Sequence, residues 1–149
     1  MAQTNAFIPI TREAHDDLLA ICSRSLPNEA CGLLLTADYG GQKQIITGVH
    51  EIVNAHERPQ QAFLFEPSSW MNAFFETQKN RQRIAGLFHS HPTSEARPSH
   101  EDEIGLPLAG DGLCYWIVSL QNAAPAVQPY IRMNGQFMPY PLMFAKISI

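Results

Sequence analysis

The residues best suited to chemistry lie in one short segment, His89-Ser90-His91-Pro92-Thr93-Ser94-Glu95-Ala96-Arg97-Pro98-Ser99-His100-Glu101-Asp102. On a strand, residues two apart point to the same face. His89 and His91 therefore project side by side, at a spacing suited to one cation. Imidazole nitrogens suit zinc, and a carboxylate completes a set of ligands. Asp102 is the leading candidate, because the loop before it is long enough to fold back over the strand end. Such a set leaves a further position for water, which is the arrangement of a catalytic zinc site rather than a structural one.

Each part also has a plainer reading. A bare His-x-His arises often by chance. Ser99 to Asp102 is equally a helix start, with Ser99 as N-cap and both residues satisfying backbone donors. The two readings are compatible, since Ser99 can cap while Asp102 turns to a metal. Ser90 faces the other side of the strand and reads as structural. His100 and Glu101 read as solvated, and His15, His50 and His56 belong to no pattern. Competing chemistries lack their signatures. There is no HExxH, no HxE followed by PCxxC and no Walker loop, and nothing places a basic histidine beside Cys31.

The elements that must position these residues follow from periodicity. Thr11 caps a helix with Glu13 in its first turn, and Ala14, Leu18, Cys22 and Leu26 recur at fourfold spacing until Pro27. Cys31 to Leu35 reads as a buried strand, Ala37 to Gly41 as a turn, and Gln44 to Val53 as the return strand of a hairpin. Ala62 to Phe65 is a short strand candidate. Pro67-Ser68-Ser69 opens a helix to about Lys79, with Trp70, Phe74 and Phe75 facing inward. Arg83 to His91 is a strand stopped by Pro92, and Ser99 to about Leu108 is a short helix. Cys114 to Leu120 and Ala126 to Met133 are strands. Phe137 to Phe144, with its prolines, reads as an edge strand or a packed tail, and these apolar C-terminal segments suit core packing or a dimer alike. Intermixed strands and helices predict an α/β fold, bordering on α+β, with helices on the faces of one sheet.

Composition sets the frame. The chain has 149 residues, 45% of them apolar and 16% charged, which predicts one globular domain over 1–149. A formal net charge of −4 argues against a nonspecific grip on nucleic-acid phosphates. No basic, apolar leader is visible at the N-terminus and no apolar run suits a bilayer span, so a cytoplasmic protein with no membrane role is expected. The cysteines Cys22, Cys31 and Cys114 are odd in number and far apart, and read as buried apolar residues rather than a disulfide framework.

Taken together, HSHP followed by six residues and SxxD resembles the JAMM motif of the MPN+ (JAB1/MPN/Mov34) metalloenzymes. Pro27-Asn28-Glu29-Ala30-Cys31-Gly32-Leu33-Leu34 is similar to that family's upstream glutamate element. Asn54 and Phe65-Glu66-Pro67 also sit where similar bacterial members carry comparable residues. The resemblance spans roughly residues 10 to 133. It implies a single mixed, curved sheet flanked by helices, with the layering of cytidine deaminases. It further implies Zn²⁺ held by His89, His91 and Asp102, with a water completing the set. Glu29, which alone would read as an exposed glutamate at a helix–strand junction, is implied as the proton carrier. Ser99 is implied as donor to the oxyanion of the tetrahedral intermediate.

Family members cleave amide or isopeptide bonds, often after C-terminal glycines of ubiquitin-like proteins. This chain lacks the added Cys/His cluster of some eukaryotic deubiquitinating relatives. It resembles instead the standalone prokaryotic members, some of which process ubiquitin-like sulfur-carrier proteins. The expected partner is such a protein with a diglycine tail, bound in extended form against a sheet edge. The alternatives are a noncatalytic MPN-type scaffold, or a peptidase acting on small or cell-wall peptides.

Overall fold

The computed structural model of the chain describes residues 7–37, 45–105 and 113–146. Strand β1 (Ile8–Thr11), which the sequence pattern did not announce, runs directly into helix α1 (Arg12–Arg24). Thr11 Oγ1 accepts from the Ala14 N–H at 3.2 Å, as the capping pattern predicts. Ala14, Leu18, Ile21 and Cys22 form the buried stripe of α1.

β2 (Cys31–Ala37) and β3 (Ile46–Ile52) pair antiparallel, as the hairpin reading expected; Ala37, read as the first residue of the turn, ends β2, and the rest of that turn lies outside the described residues. β4 (Gln82–His91) lies antiparallel on the other side of β2. Gly32 is central to this packing. A Cβ there would strike the His50 carbonyl of β3 and the Phe88 ring of β4, so only glycine lets the strands close. β5 (Cys114–Ser119) pairs parallel with β4, and β6 (Ala126–Met133) pairs antiparallel with β5.

The expected single segment Phe137 to Phe144 is instead two strands, β7 (Gln136–Pro139) on β6 and β8 (Leu142–Ala145) parallel to β1. Proline at 141 removes the donor that would continue one strand. The sheet has eight strands in the order β7-β6-β5-β4-β2-β3-β1-β8. Its two edges are thus supplied by neighbouring stretches of chain. Pro139 and Leu142 are three Cα steps apart, at most about 11 Å. The sheet must therefore curl until its rims nearly meet, giving the mixed, curved α/β architecture expected.

The curl divides the core. On one face α1 packs with Phe88, Trp116 and Val118, and on the other lie Leu33, Leu87, Ile117 and Ala73 of helix α2 (Pro67–Lys79). Burying a side chain such as Leu18 or Phe88 contributes about 1.5–3 kcal/mol. α2 departs from expectation. Its buried residues are Ala73 and Thr77, whereas Phe74 and Phe75 are 38% and 62% exposed. Small residues at fourfold spacing bring the helix close to the sheet, and the aromatic rings are pushed to the outer sides. The expected strand Ala62 to Phe65 is reduced to an isolated bridge between Asn54 and Phe65. Among the described residues, no helix is long and apolar enough to cross a membrane.

Candidate metal centre

β4 carries the first part of the site. Its burial is unbroken from Ala85 to His91, and alternation sends Leu87, His89 and His91 to the α2 face and Phe88 and Ser90 to the α1 face. Helix α3 (His100–Gly105) begins after the Pro92–Ser99 loop and delivers Asp102. Its predicted extension to Leu108 lies outside the described residues.

His89 Nε2 and His91 Nε2 are 3.1 Å apart, and Asp102 Oδ2 lies 3.0 Å from the first and 3.1 Å from the second. All three side chains are buried. The structure thus brings together the three residues that the sequence singled out. Donor atoms around a tetrahedral zinc ion stand about 3.3 Å apart, close to this triangle.

The proton arrangement also fits a cation. His91 Nδ1 is 2.7 Å from the Glu95 carbonyl, which only accepts, so Nδ1 carries a proton and Nε2 turns inward. Burial pulls the pKa of His89 below its usual range. Burial also opposes charge on His91, but its bonds to Asp102 and the Glu95 carbonyl outweigh this and raise it. Asp102 is likewise disfavoured as an anion by burial, yet hydrogen bonds from His89 and His91 hold its carboxyl well below the usual carboxylate range. Three buried groups thus converge with one donor atom each within reach of a single ion. His89, His91 and Asp102 could hold a divalent ion there.

Ser99 caps α3 as read from sequence. Its Oγ accepts from the Asp102 N–H at 3.0 Å, and its own N–H donates to Asp102 Oδ2 at 2.9 Å. The second bond orients the Asp102 carboxylate, so cap and centre share one residue pair. The Ser99 hydroxyl keeps its hydrogen for another acceptor.

Glu29 lies two residues ahead of the neighbouring strand β2. Cys31 pairs with His89, and the Ser90 N–H reaches the Ala30 carbonyl at 3.0 Å. The same antiparallel register, continued, sets Glu29 opposite His91. Ser90 Oγ accepts from the Ala30 N–H at 2.8 Å, which locks this register from the α1 face and bears out the structural reading of Ser90. Glu29 is not the exposed residue that its local sequence suggests. It is 5% exposed, and its Oε1 is buried without a hydrogen-bond partner. Burial pushes its pKa up to about 7, with His91 opposing and Asp102 adding to the rise. A carboxyl poised near neutrality can both take and return a proton.

A segment that the sequence marked only as a short strand candidate, with no link to the site, packs against it. Phe63 stacks on His89 with ring centroids 4.6 Å apart and planes at 25°. Arg58, just ahead of that segment, comes within 3.8 Å of Glu101 on α3. No local pattern marks Phe63, because its partner lies far off in sequence. Cys31, adjacent to the site, is buried and donates to the Ile52 carbonyl, and burial pushes its thiol up to about 12. That rules against a thiolate nucleophile at this position. His100 and Glu101 are exposed, as expected.

Known proteins are similar to this chain in sequence and fold. A desampylase of Haloferax volcanii is 23% identical over 103 residues, covering 66% of this chain and 72% of its own. The solution structure of a Desulfitobacterium hafniense protein is 28% identical and superposes with a TM-score of 0.76, covering 95% of this chain and 94% of that one. The crystal structure of a JAB1/MPN domain protein of Archaeoglobus fulgidus is 19% identical, with a TM-score of 0.56 over 93% of this chain and all of that one (100%). The family model of prokaryotic homologues of the JAB domain matches residues 11–130. That span holds Glu29, the β4 histidines and α3, and the chain belongs to the prokaryotic JAB domain family.

Proposed function

We propose that the chain, acting as a single domain, is a zinc-dependent peptidase of the JAMM type. It hydrolyses an amide or isopeptide bond at the diglycine tail of a ubiquitin-like or sulfur-carrier protein in the cytoplasm. The observation that carries this reading is the convergence of His89, His91 and Asp102 beside a buried carboxyl with a pKa raised to about 7. The likeness to a desampylase is in keeping with the substrate class.

His89, His91 and Asp102 would hold the ion, with His91 fixed by the Glu95 carbonyl and Asp102 by the Ser99 N–H. Zinc, when bound, supplies Lewis acidity and makes hydroxide accessible near neutral pH. Glu29 takes a proton from the attacking water and passes it to the leaving amine, the two roles that a pKa near 7 allows. Ser99 donates its hydroxyl hydrogen to the developing oxyanion. Phe63 and the neighbouring segment wall the site, and a tail without side chains suits a narrow approach.

The test is a zinc measurement on purified protein together with cleavage of a diglycine-tailed fusion. The expected result is one zinc per chain and cleavage directly after the second glycine. Undiminished cleavage by metal-free protein would overturn the proposal.

A further inference from the structure

Glu29 presents a puzzle of support. Its Oε1 makes no hydrogen bond, so that atom holds the carboxyl in no fixed direction. The main chain of Glu29, by contrast, is held at both ends. Its N–H donates to the Pro59 carbonyl at 2.7 Å, and its carbonyl accepts from Asn54 Nδ2 at 3.0 Å.

Asn54 does more than hold Glu29. Nδ2 also donates to the Ala62 carbonyl at 3.0 Å, with a longer 3.5 Å contact to the Pro59 carbonyl. Oδ1 accepts from the N–H groups of His56 and Leu64, each at 3.0 Å. The amide thus uses both its hydrogens and both its lone pairs. Ala62 and Leu64 are the two neighbours of Phe63, whose ring stacks on His89. One amide group therefore fixes the backbone of the proton carrier and brackets the ring that packs on a metal-binding histidine.

We infer that Asn54 is a positioning residue for the reaction, acting through Glu29 on one side and Phe63 on the other. This rests on the proposed peptidase reading. Aspartate is nearly isosteric with asparagine and keeps the acceptor at Oδ1. It replaces the donor with an oxygen that faces the Glu29 and Ala62 carbonyls. A shift of Glu29 by as little as 1 Å is enough to cost about 100-fold in rate.

The experiment is a cycle of Asn54→Asp, Glu29→Gln and the double variant, read by kcat, KM, zinc content and amide exchange. Asn54→Ala repeats it should the aspartate variant fold poorly. The expected result for Asn54→Asp is a kcat about 100-fold lower, with KM within about twofold and zinc still near one per chain. In the Glu29→Gln background the same change costs far less than 100-fold, because the acid–base group it positions is already lost and only the Phe63 side remains. Exchange quickens at the Glu29 amide, and in Asn54→Ala, which also removes the Oδ1 acceptor, at the Leu64 amide as well. Full additivity with Glu29→Gln, or a loss that falls on KM or zinc content alone, would make Asn54 a plain loop clamp and overturn the inference. Wild-type protein that binds zinc and leaves diglycine fusions intact would overturn the peptidase reading, and this inference with it.

Discussion

The two faces of β4 do different work with adjacent residues. Phe88 and Ser90 turn toward α1, where one fills the core and the other locks the register to Ala30. His89 and His91 turn the other way and gather Asp102 and Glu29. The lesson is that rigidity and chemistry are separated by a single peptide unit. Histidines two apart hold their spacing because the residue between them is pinned from behind.

Substitutions can break this division, and the largest effect belongs to the site face. Asp102→Asn is expected to lose both zinc and cleavage, as measured by metal analysis and turnover of a diglycine fusion. Glu29→Gln should keep its zinc and lose about 100- to 10,000-fold in kcat, the usual worth of a placed acid–base group. Equal metal loss in both variants would erase the distinction between ligand and proton carrier.

Ser99→Ala sharpens the contrast within one residue. Loss of the oxyanion donor should lower kcat about 100- to 1,000-fold. Loss of the cap should cost only ~1 kcal/mol in denaturant unfolding. If unfolding weakens and turnover holds, Ser99 is a cap alone.

On the opposite face, Phe88→Ala should cost about 3–5 kcal/mol of stability through the cavity it leaves. Turnover per folded molecule should remain within a few fold, since the ring touches no reacting group. A collapse of turnover in fully folded protein would show that the faces are not separable.

The smallest effect is one of pH. Burial raises the pKa of Glu29 from 4.5 to about 7 in the folded chain. The folded state thus favours the protonated carboxyl, which contributes stability below about pH 4.5 that is lost as pH rises through about 7. In metal-free protein, Glu29→Gln should therefore gain on the order of 2–3 kcal/mol relative to wild type between pH 4.5 and 8. Unfolding curves that stay parallel across that range would place Glu29 in water.

Much of this centre was legible because its parts are local in sequence. The period of two at His89 and His91, the stop at Pro92 and the Ser99–Asp102 cap all fall within one short segment. The α1 stripe was legible for the same reason. Position 54 was marked only by resemblance, and its role depends on partners at Glu29 and Ala62 that no periodicity links. The outward rings of Phe74 and Phe75 were misread, because an amphipathic pattern does not reveal that a helix docks through its smallest residues. Parallel pairing of β1 with β8 joins opposite ends of the chain, and short strands carry no local mark of a distant partner.

That last pairing has a practical consequence. A single hem of residues, Gln136 to Ala145, borders the sheet on both sides at once. Trimming the chain before Gln136 would bare the open hydrogen-bonding rows of β6 and β1 in one cut. Such a truncation would clump rather than merely loosen, although every residue of the metal centre would still be present.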